Sequence, residues 1–426
     1  MLILGWATAG LLLLASFGVD YRNVAHGGSI DLRNRITGIR LLAHGIDAYH
    51  YKWKKPEPPE YCDPFNNPLM QVSKTTATPS LLLLHLPLAA LPYRSGQIAW
   101  LFLQWLLLLG TAGLWLRLCT TSRQRWALVW FVVAFTYTAA WRLHAERGQS
   151  YVLLLFVFAC WLAASLHSKM GNHFVTGLVA GFLVTLRPPF ALLLPFLLLH
   201  RRGQLTGAAI GLLLGIGLPM LWSPSCWLDY ASAMQTQADY YLTDYYVHYQ
   251  QAYPSEIEGM SLGKIAHFAA IPYADFSVHA FLKFIGGESS WPGFLPLHLL
   301  IVAPFALWLW LTRKQRMEFL LLGIAAWFFL IDLFLPAYRN SYNDVLILNI
   351  VALGVIASNR LPLACWICLP ALPIGWFIYA QAPEEPWLIN LPTFFFTLGA
   401  ALFLLFKTQG LRWPFGANRA KETNPC

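Results

Sequence analysis

Residues 97–118 read QIAWLFLQWLLLLGTAGLWLRL and carry a single charge, Arg117. An apolar run of about 20 residues crosses the roughly 30 Å hydrocarbon core of a bilayer as an α-helix. Similar runs recur along the chain, which indicates a polytopic membrane protein. Composition agrees, because only 12% of the 426 residues are charged and 57% are hydrophobic. A soluble domain carries about 25% charged residues, so an ordinary soluble protein is excluded, as is a disordered chain.

The hydropathy pattern predicts an all-α polytopic membrane protein with about 12 transmembrane helices. The long apolar stretches are 1–17, 97–118, 127–143, 150–167, 172–187, 204–222, 293–312, 317–335, 345–359, 361–381 and 388–407. A shorter stretch, 188–200, begins with two prolines and is either a re-entrant segment or a thin crossing. Residues 1–17 lack a basic start, which favours a retained helix over a signal peptide. We predict one transmembrane domain over 1–409, followed by a cytoplasmic tail over 410–426.

The distribution of basic residues predicts the orientation of the chain. Of the 29 Lys and Arg residues, 14 fall on one side of the membrane, together with only two acids, Glu318 and Glu422. Positive charge in short loops marks the cytoplasmic side. Two long loops, about 18–96 and 223–292, are then predicted on the outer face. The net charge of +9 is explained by topology, and we expect no nucleic-acid partner.

The first outer loop is predicted to contain amphipathic helices at the membrane face. After Ser29, a candidate N-cap, apolar residues recur at helical spacing until Gly45. A second apolar helix is expected over 81–91. Asp31 lies in the first turn of the first helix, where the helix dipole favours its ionised form. From spacing alone, Asp31 is either a carboxylate at a helix start with no further role or a functional acid.

Three polar clusters lie at the outer ends of predicted spans, over 141–149, 186–189 and 336–344. Their candidate functional residues are His144, Glu146, Arg147, Gln149, Arg187, Arg339, Tyr342 and Asp344. Charges at such positions are costly and often functional, although cations that snorkel to the interface give the same pattern. Since the clusters share one side with Asp31, we predict that together they form one polar cavity at the outer face.

The second outer loop contains a run of tyrosines and aspartates between Asp229 and Tyr253. These aromatic faces either stack on sugar rings or form an interfacial belt, and the sequence leaves both open. Cys62 and Cys226 fall in the two outer loops, where an oxidising compartment would allow a bridge. No cluster has convincing metal-ligand spacing.

Several short motifs follow one another along the first 200 residues. They are Asp31-x-Arg33, Gly45-x-Asp47-x-Tyr49, Gly148-Gln149 at the start of an apolar span, and Leu186-Arg187-Pro188 at the end of a glycine-rich one. In this order they resemble glycosyltransferase family 87, a mannosyltransferase-like group of the GT-C superfamily. The resemblance implies an enzyme of twelve to thirteen helices that transfers sugar from a polyprenyl-phosphate donor, with inversion. An acidic base in the first outer loop is implied, and it matches Asp31.

The sequence departs from the resemblance at two points. Arg187 stands where Lys is common, and Asp20 is a second candidate base eleven residues before Asp31. The proposed chemistry needs a base for the acceptor hydroxyl and cations for the leaving phosphate. The candidate phosphate ligands are Arg187, Arg147, Arg339, Arg33 and Arg35. The candidate sugar or acceptor ligands are Glu146, Gln149, His144, Tyr342 and Asp344.

Neither a metal nor a cofactor is expected, since the lipid-linked sugar is a substrate. The expected partners are a polyprenyl-phosphate sugar, a glycan or glycolipid acceptor, and membrane lipid. We expect a bacterial inner (cytoplasmic) membrane with the site on its periplasmic side. Two other classes remain open, namely a transporter or flippase of a lipid-linked or anionic substrate and a glycan polymerase or ligase. A transporter places charges near mid-membrane, whereas here Asp332 is the main exception to charges at span ends.

Overall fold

The computed structural model describes residues 2–26, 28–63, 66, 71–166, 173–243, 294–334 and 341–357. Within these ranges the chain forms helices and no β-strand, which confirms the predicted all-α fold there. The α-helices are α1 Leu2–Ala25, α2 Ile30–Ala43, α3 Pro79–Leu83, α4 Leu86–Ala89, α5 Tyr93–Leu118, α6 Ser122–Phe135, α7 Ala139–Arg147, α8 Tyr151–Leu166, α9 His173–Leu186, α10 Leu193–His200, α11 Leu205–Met220, α12 Cys226–Thr243, α13 Phe294–Thr312, α14 Met317–Phe334 and α15 Ile347–Ala357. Short 3₁₀ helices cover Pro59–Tyr61, Pro188–Leu192, Arg202–Gln204 and Ser341–Leu346.

Three of the described helical stretches are long and apolar enough to cross a membrane, namely Leu4–Ala25, Tyr93–Leu118 and Arg202–Met220. A fourth results if α6 and α7 are one broken span. Shorter apolar helices are Tyr151–Leu166, His173–Leu186, Pro188–His200, Ala303–Thr312, Met317–Phe329 and Tyr342–Ala357. The prediction of about 12 spans is therefore not confirmed. The predicted spans 361–381 and 388–407 and the tail lie outside the described residues.

Helix α1 continues beyond its predicted end at residue 17 and reaches Ala25. Its extra turns contain Asp20, which is 1% exposed. The Asp20 carboxylate accepts hydrogen bonds from the indoles of Trp105 (3.0 Å) and Trp141 (2.9 Å) and forms an ion pair with Arg142. A charge with these partners is tolerated inside a helix bundle, so the helix does not end where hydropathy falls.

The predicted span 127–143 is broken into α6 and α7, which meet at a 58° bend. Helix α7 has its own N-cap, because the Thr138 hydroxyl accepts the backbone N–H of Trp141. The bend gives α7 a direction of its own. As a result, its arginines Arg142 and Arg147 reach two different carboxylates, Asp20 and Asp31.

Helix α2 has the predicted bounds but is not a surface helix. Its buried residues are Ile30, Asp31, Leu32, Asn34, Arg35, Ile36, Thr37, Gly38, Ile39, Leu41 and Leu42. Ser29 occupies the N-cap position with φ 70° and makes no side-chain cap. Instead its backbone N–H donates to the Glu146 carbonyl (2.5 Å), and its carbonyl accepts the Tyr93 hydroxyl (2.6 Å). Tertiary contacts thus hold the start of α2.

The second predicted helix of this loop, 81–91, is two short helices, α3 and α4. The side chain of Thr78 caps α3 by accepting the Leu81 N–H and also donates to the Leu186 carbonyl at the end of α9 (3.1 Å). The Ser80 hydroxyl donates to the Gly215 carbonyl of α11 (2.6 Å). The loop is therefore anchored to two apolar helices.

Helices α9 and α11 pack with their backbones in direct contact. A Cβ built on Gly181 would lie 1.9 Å from the Ala208 carbonyl oxygen, and one on Gly211 would lie 2.1 Å from that of Leu178. Glycine on both helices permits this approach, as in other closely packed membrane helices. The contact fixes the end of α9, directly before Arg187.

Candidate functional site

The centre of the site is the carboxylate of Asp31, in the first turn of α2. Its Oδ2 accepts hydrogen bonds from Arg147 Nε (2.5 Å) and Gln149 Nε2 (2.5 Å), and its Oδ1 accepts one from Arg147 Nη2 (3.2 Å). The Arg147 contact is a side-on, two-point ion pair. Sequence-distant candidates therefore meet in one place, as predicted for Asp31, Arg147 and Gln149.

The turn between α7 and α8 explains why a glycine precedes Gln149. Gly148 ends α7 with φ 68°, a conformation that favours glycine. A Cβ there would lie 2.7 Å from Leu32 Cβ. The Gly148 carbonyl accepts the indole N–H of Trp100 (3.1 Å). The turn thus places Gln149 directly against α2.

Arg35, one turn after Asp31, is a second buried cation with a different set of partners. Its Nη1 donates to the carbonyls of Asp31 (3.0 Å) and Gly148 (3.2 Å), and its Nη2 donates to Gln149 Oε1 (2.6 Å). Arg35 therefore holds the Gln149 amide so that its nitrogen faces Asp31. Its contacts are those of a positioning residue rather than of a free phosphate ligand.

Electrostatics favour the ionised form of Asp31. Burial by itself raises the pKa of the carboxyl, but the charge and hydrogen bonds of Arg147, with the charges of Lys74 and Arg35, outweigh burial and hold this pKa at about 2. Asp31 is therefore an anion at neutral pH.

A row of two tyrosines with an arginine at each end leads away from Asp31. The guanidinium of Arg147 lies over the ring of Tyr342, 5.7 Å from its centroid, and Tyr342 contacts Tyr151 at a centroid separation of 5.9 Å. The guanidinium of Arg187 lies 4.6 Å from the centroid of Tyr151. This Arg147–Tyr342–Tyr151–Arg187 row joins two of the predicted phosphate ligands. Guanidinium over an aromatic face is a favourable arrangement.

A second acidic group closes the far end of the row. Asp332, near the end of α14 and 5% exposed, forms an ion pair with Arg187. Asn343 Nδ2 donates to Asp332 Oδ2 at 3.1 Å. The 3₁₀ helix Ser341–Leu346 thus supplies Tyr342 to the row and Asn343 to its end. All of these groups lie at or beside the ends of helices.

Other predicted residues lie beside this cluster rather than in it. Arg33 donates to the Cys62 carbonyl (3.2 Å) and lies over the ring of Tyr93, because it faces the opposite side of α2 from Asp31. The backbone carbonyl of Glu146 accepts the Ser29 N–H at the start of α2.

The remaining candidates are placed as follows. His144 is fully buried, where its Nε2 accepts the Val152 N–H (3.0 Å) and its ring stacks on Trp141. These contacts are those of a packed core histidine. Asp344 is 2% exposed in the 3₁₀ helix that carries Tyr342. Arg339 lies outside the described residues.

The alternative base, Asp20, belongs to a separate site. Its partners are Arg142, Trp105 and Trp141, none of which contacts Asp31 through a described hydrogen bond. The hydrogen bonds and the ion pair of Asp20 link α1 to α5 and α7.

Sequence reasoning missed four residues around the site. Lys74 contributes positive charge at Asp31, and Tyr151 links the two halves of the row. The sequence indicated Asp332 only as an unusual charge in mid-span. It indicated Tyr230, on α12, only as part of a tyrosine run, although Tyr230 interacts electrostatically with Arg187 and Tyr151. Tyr151 lies two residues after the predicted 141–149 cluster, so its position beside that cluster was the available signal.

The arrangement offers an anionic proton acceptor and cations, but no grouped metal ligands. Among the described residues, no three His, Cys, Asp or Glu side chains lie together as a metal site would require. Cys62 and Cys226 are free thiols in the structure. The chemistry available at the site is proton acceptance by a carboxylate and the binding of an anion by guanidiniums.

The model of glycosyltransferase family 87 matches residues 76–336 of the chain. The matched region contains Arg147, Gln149, Arg187 and Asp332, whereas Asp31 lies before it. No curated protein and no solved structure matches the chain.

Proposed function

Because the chain belongs to glycosyltransferase family 87, we propose that this membrane enzyme transfers a sugar from a polyprenyl-phosphate donor to an acceptor hydroxyl. The sugar is mannose or another hexose or pentose, and the acceptor is a glycan or glycolipid of the cell envelope. Transfer takes place with inversion at the periplasmic face of a bacterial inner membrane.

One observation carries this proposal. A buried carboxylate, Asp31, lies at one end of a row that contains two guanidiniums, Arg147 and Arg187. Glycosyl transfer from a phosphate needs both elements close together, since one removes a proton while the others stabilise the phosphate that leaves. A transporter needs no such base, and membership of a glycosyltransferase family favours the enzyme.

In the proposed reaction, Asp31 accepts the proton of the acceptor hydroxyl while its oxygen attacks the anomeric carbon. The bond from that carbon to the phosphate oxygen breaks, and its electron pair stays on the polyprenyl phosphate. Attack from the face opposite the phosphate inverts the anomeric centre. A positioned base contributes roughly 10²- to 10⁴-fold to such a step. The leaving phosphate is already a stable anion and needs no proton from an acid.

Arg187 and Arg147 are the proposed ligands of the donor phosphate. A guanidinium binds two phosphate oxygens through parallel hydrogen bonds, and here Tyr342 and Tyr151 each lie against one of the two guanidiniums. We propose that the rings of the same tyrosines contact the sugar. Arg339 and Asp344 remain proposed ligands. The scheme uses neither metal nor cofactor, because the arginines supply the positive charge.

The test is transfer by the purified full-length protein in lipid nanodiscs, assayed with a panel of radiolabelled polyprenyl-phosphate monosaccharides. We expect one donor to give a radiolabelled glycan or glycolipid, and Asp31→Asn to abolish the signal. Arg123→Gln, at an exposed position at the start of α6, is the matched control and should keep full activity. Absence of transfer from every donor, or full activity of Asp31→Asn, would overturn the proposal.

A further inference from the structure

The proposed base is held in a closed arrangement. Both oxygens of Asp31 accept hydrogen bonds, two of them from Arg147 and one from Gln149. A proton added to this carboxylate has to displace part of a two-point ion pair. General bases work best when their proton affinity is matched to the operating pH. With Arg147 in this position, Asp31 is a poor acceptor for the proton of a sugar hydroxyl.

The two arginines beside Asp31 differ in what holds them. Arg35 is 8% exposed and donates to two backbone carbonyls and the Gln149 amide, all of them neutral groups of the protein. Arg147 is the last residue of α7, its side chain is 13% exposed, and its guanidinium lies over Tyr342. Arg35 is therefore part of the scaffold, whereas Arg147 stands between the carboxylate and the row that leads to Arg187.

We propose that Arg147 couples the two substrates: the donor phosphate draws its guanidinium away from Asp31, so that donor binding releases the base and the acceptor reacts second. The inference rests on the proposed function, because it takes the anion at Arg147 to be the phosphate of the lipid-linked sugar. A phosphodiester and a carboxylate compete for the same fork of N–H donors. Arg187, at the other end of the row, gives the phosphate its second cation.

The charges around Asp31 set the direction of the change. The charged or titratable groups that act on it or respond to it are Arg35 on α2, Arg147 on α7, Lys74 before α3, Tyr93 on α5 and Tyr342 in the 3₁₀ helix. Further titratable groups on or beside the elements packed against α2 are His144 and Glu146 on α7, Arg94 on α5, Glu60 and His85. Glu60 interacts with Arg40, and burial lowers the pKa of His85 to about 3, which leaves it neutral.

Of these groups, Arg147 lowers the pKa of Asp31 most strongly. Donor binding withdraws Arg147 and adds a negative charge. Both effects raise the pKa of Asp31 above about 2. Lys74 and Arg35 remain in place, so the carboxyl stays ionised at neutral pH and gains proton affinity. Without donor, Asp31 stays paired with Arg147 and is a poor proton acceptor. With donor bound, Asp31 is released from Arg147 and can accept the proton.

The kinetic test compares two pH profiles of the purified full-length enzyme, using the donor that the panel identifies. The profile of kcat/KM for the donor reports the free enzyme, and that for the acceptor at saturating donor reports the donor complex. We expect the acceptor profile to fall tenfold per pH unit below about pH 4, close to the ordinary pKa of an aspartic acid. In the same pH range, kcat/KM for the donor should not fall in this way.

A second measurement reads Asp31 without turnover. Infrared difference spectra record the carboxylate band that Asp31→Asn removes, with and without polyprenyl phosphate as the probe. We expect the probe to shift this band in the wild type and in Arg123→Gln, and to shift it much less in Arg147→Gln, where only the added negative charge acts and there is no guanidinium to withdraw.

The outcomes separate the two proposals. If transfer occurs but the band does not shift and the two profiles coincide, the coupling through Arg147 is wrong and the glycosyltransferase mechanism stands. If a shift of equal size persists in Arg147→Gln, the coupling is again wrong. If the protein neither binds polyprenyl phosphate nor transfers sugar from any donor, the proposed function fails and this inference fails with it.

Discussion

This protein contains two buried carboxylates, and each forms an ion pair with an arginine of the same short helix, α7. The two ion pairs differ in their surroundings. Asp20 pairs with Arg142, and Asp31 pairs with Arg147. The remaining hydrogen bonds of Asp20 come from two tryptophan indoles in the packed core. Asp31 instead adjoins further cations and the row that leads to Arg187.

The comparison shows that an ion pair between membrane helices does not by itself indicate catalysis. A pair whose other contacts are core side chains, such as Asp20–Arg142, fixes the relative position of helices, because separating the charges inside the bundle costs several kcal/mol. A pair becomes a candidate for chemistry when further polar groups continue from it. Of these two pairs, only Asp31–Arg147 has such a continuation among the described residues.

Asn substitutions at the two aspartates should act on different properties, one on activity and the other on stability. These are the largest effects that we expect. Asp31→Asn removes the proton acceptor, so transfer should fall by roughly 10²- to 10⁴-fold while the protein stays folded. Asp20→Asn leaves Arg142 buried without its counter-charge, so the melting temperature should fall, with a loss of about 3–5 kcal/mol. Transfer rates and thermal melting of the purified variants measure both.

The opposite result would reverse the assignment of the base. If Asp20→Asn loses transfer at an unchanged melting temperature while Asp31→Asn remains active, the catalytic carboxylate is Asp20.

Gly148→Ala tests whether the turn between α7 and α8 positions the Asp31 pair. Alanine at φ 68° is strained by about 1–2 kcal/mol, and its Cβ meets Leu32 at 2.7 Å. Because small displacements of a site are costly, we expect transfer to fall by about 10- to 100-fold. Gly113→Ala on α5, where nothing lies within 4 Å of the new Cβ, is the control and should be neutral. Equal activity of the two variants would show that the turn is not needed.

Arg187→Ala probes the far end of the row. Loss of a charged hydrogen-bond donor to the phosphate should lower kcat/KM for the donor by about tenfold, while KM for the acceptor changes little. The measurement is initial-rate kinetics with each substrate varied in turn. Equal loss for both substrates would indicate that the Arg187–Asp332 pair is structural, like Asp20–Arg142.

Arg33→Gln should have the smallest effect. Arg33 is two residues from Asp31 but contacts Cys62 and Tyr93 on the other face of the helix. We expect less than about a threefold change in transfer, since neither contact of Arg33 is with Asp31 or the arginine row and substitutions away from a site usually change the free energy by within about 0.5 kcal/mol. A loss as large as that of Arg187→Ala would place Arg33 in the phosphate site after all.

Hydropathy predicted several helices to within a few residues. The predicted spans 150–167 and 172–187 correspond to Tyr151–Leu166 and His173–Leu186. These segments are uniformly apolar, so their limits are local properties that a sequence window detects. Polar candidates such as Asp31, Gln149 and Arg187 were also predictable, because charge at the end of an apolar span is conspicuous.

Long-range partners explain where these predictions failed. The window ended α1 at residue 17 because Asp20 is charged, yet its partner Arg142 lies 122 residues further along the chain. Helix α2 was expected at the membrane surface because its apolar residues recur at helical spacing, as in an amphipathic helix. It is buried because the α7–α8 turn supplies the groups that satisfy Asp31 and Arg35.

The order of apolar and polar segments along the chain determined that this protein is a helical membrane protein and which residues were candidates for its chemistry. Those properties depend on the transfer of each segment from water, which is local. Only the tertiary structure decided that Asp31 rather than Asp20 adjoins the arginine row, and that Arg33 faces away from it. Electrostatic and hydrogen-bond contacts act over a few ångströms in space, and such proximity between distant parts of the chain arises only when the helices pack.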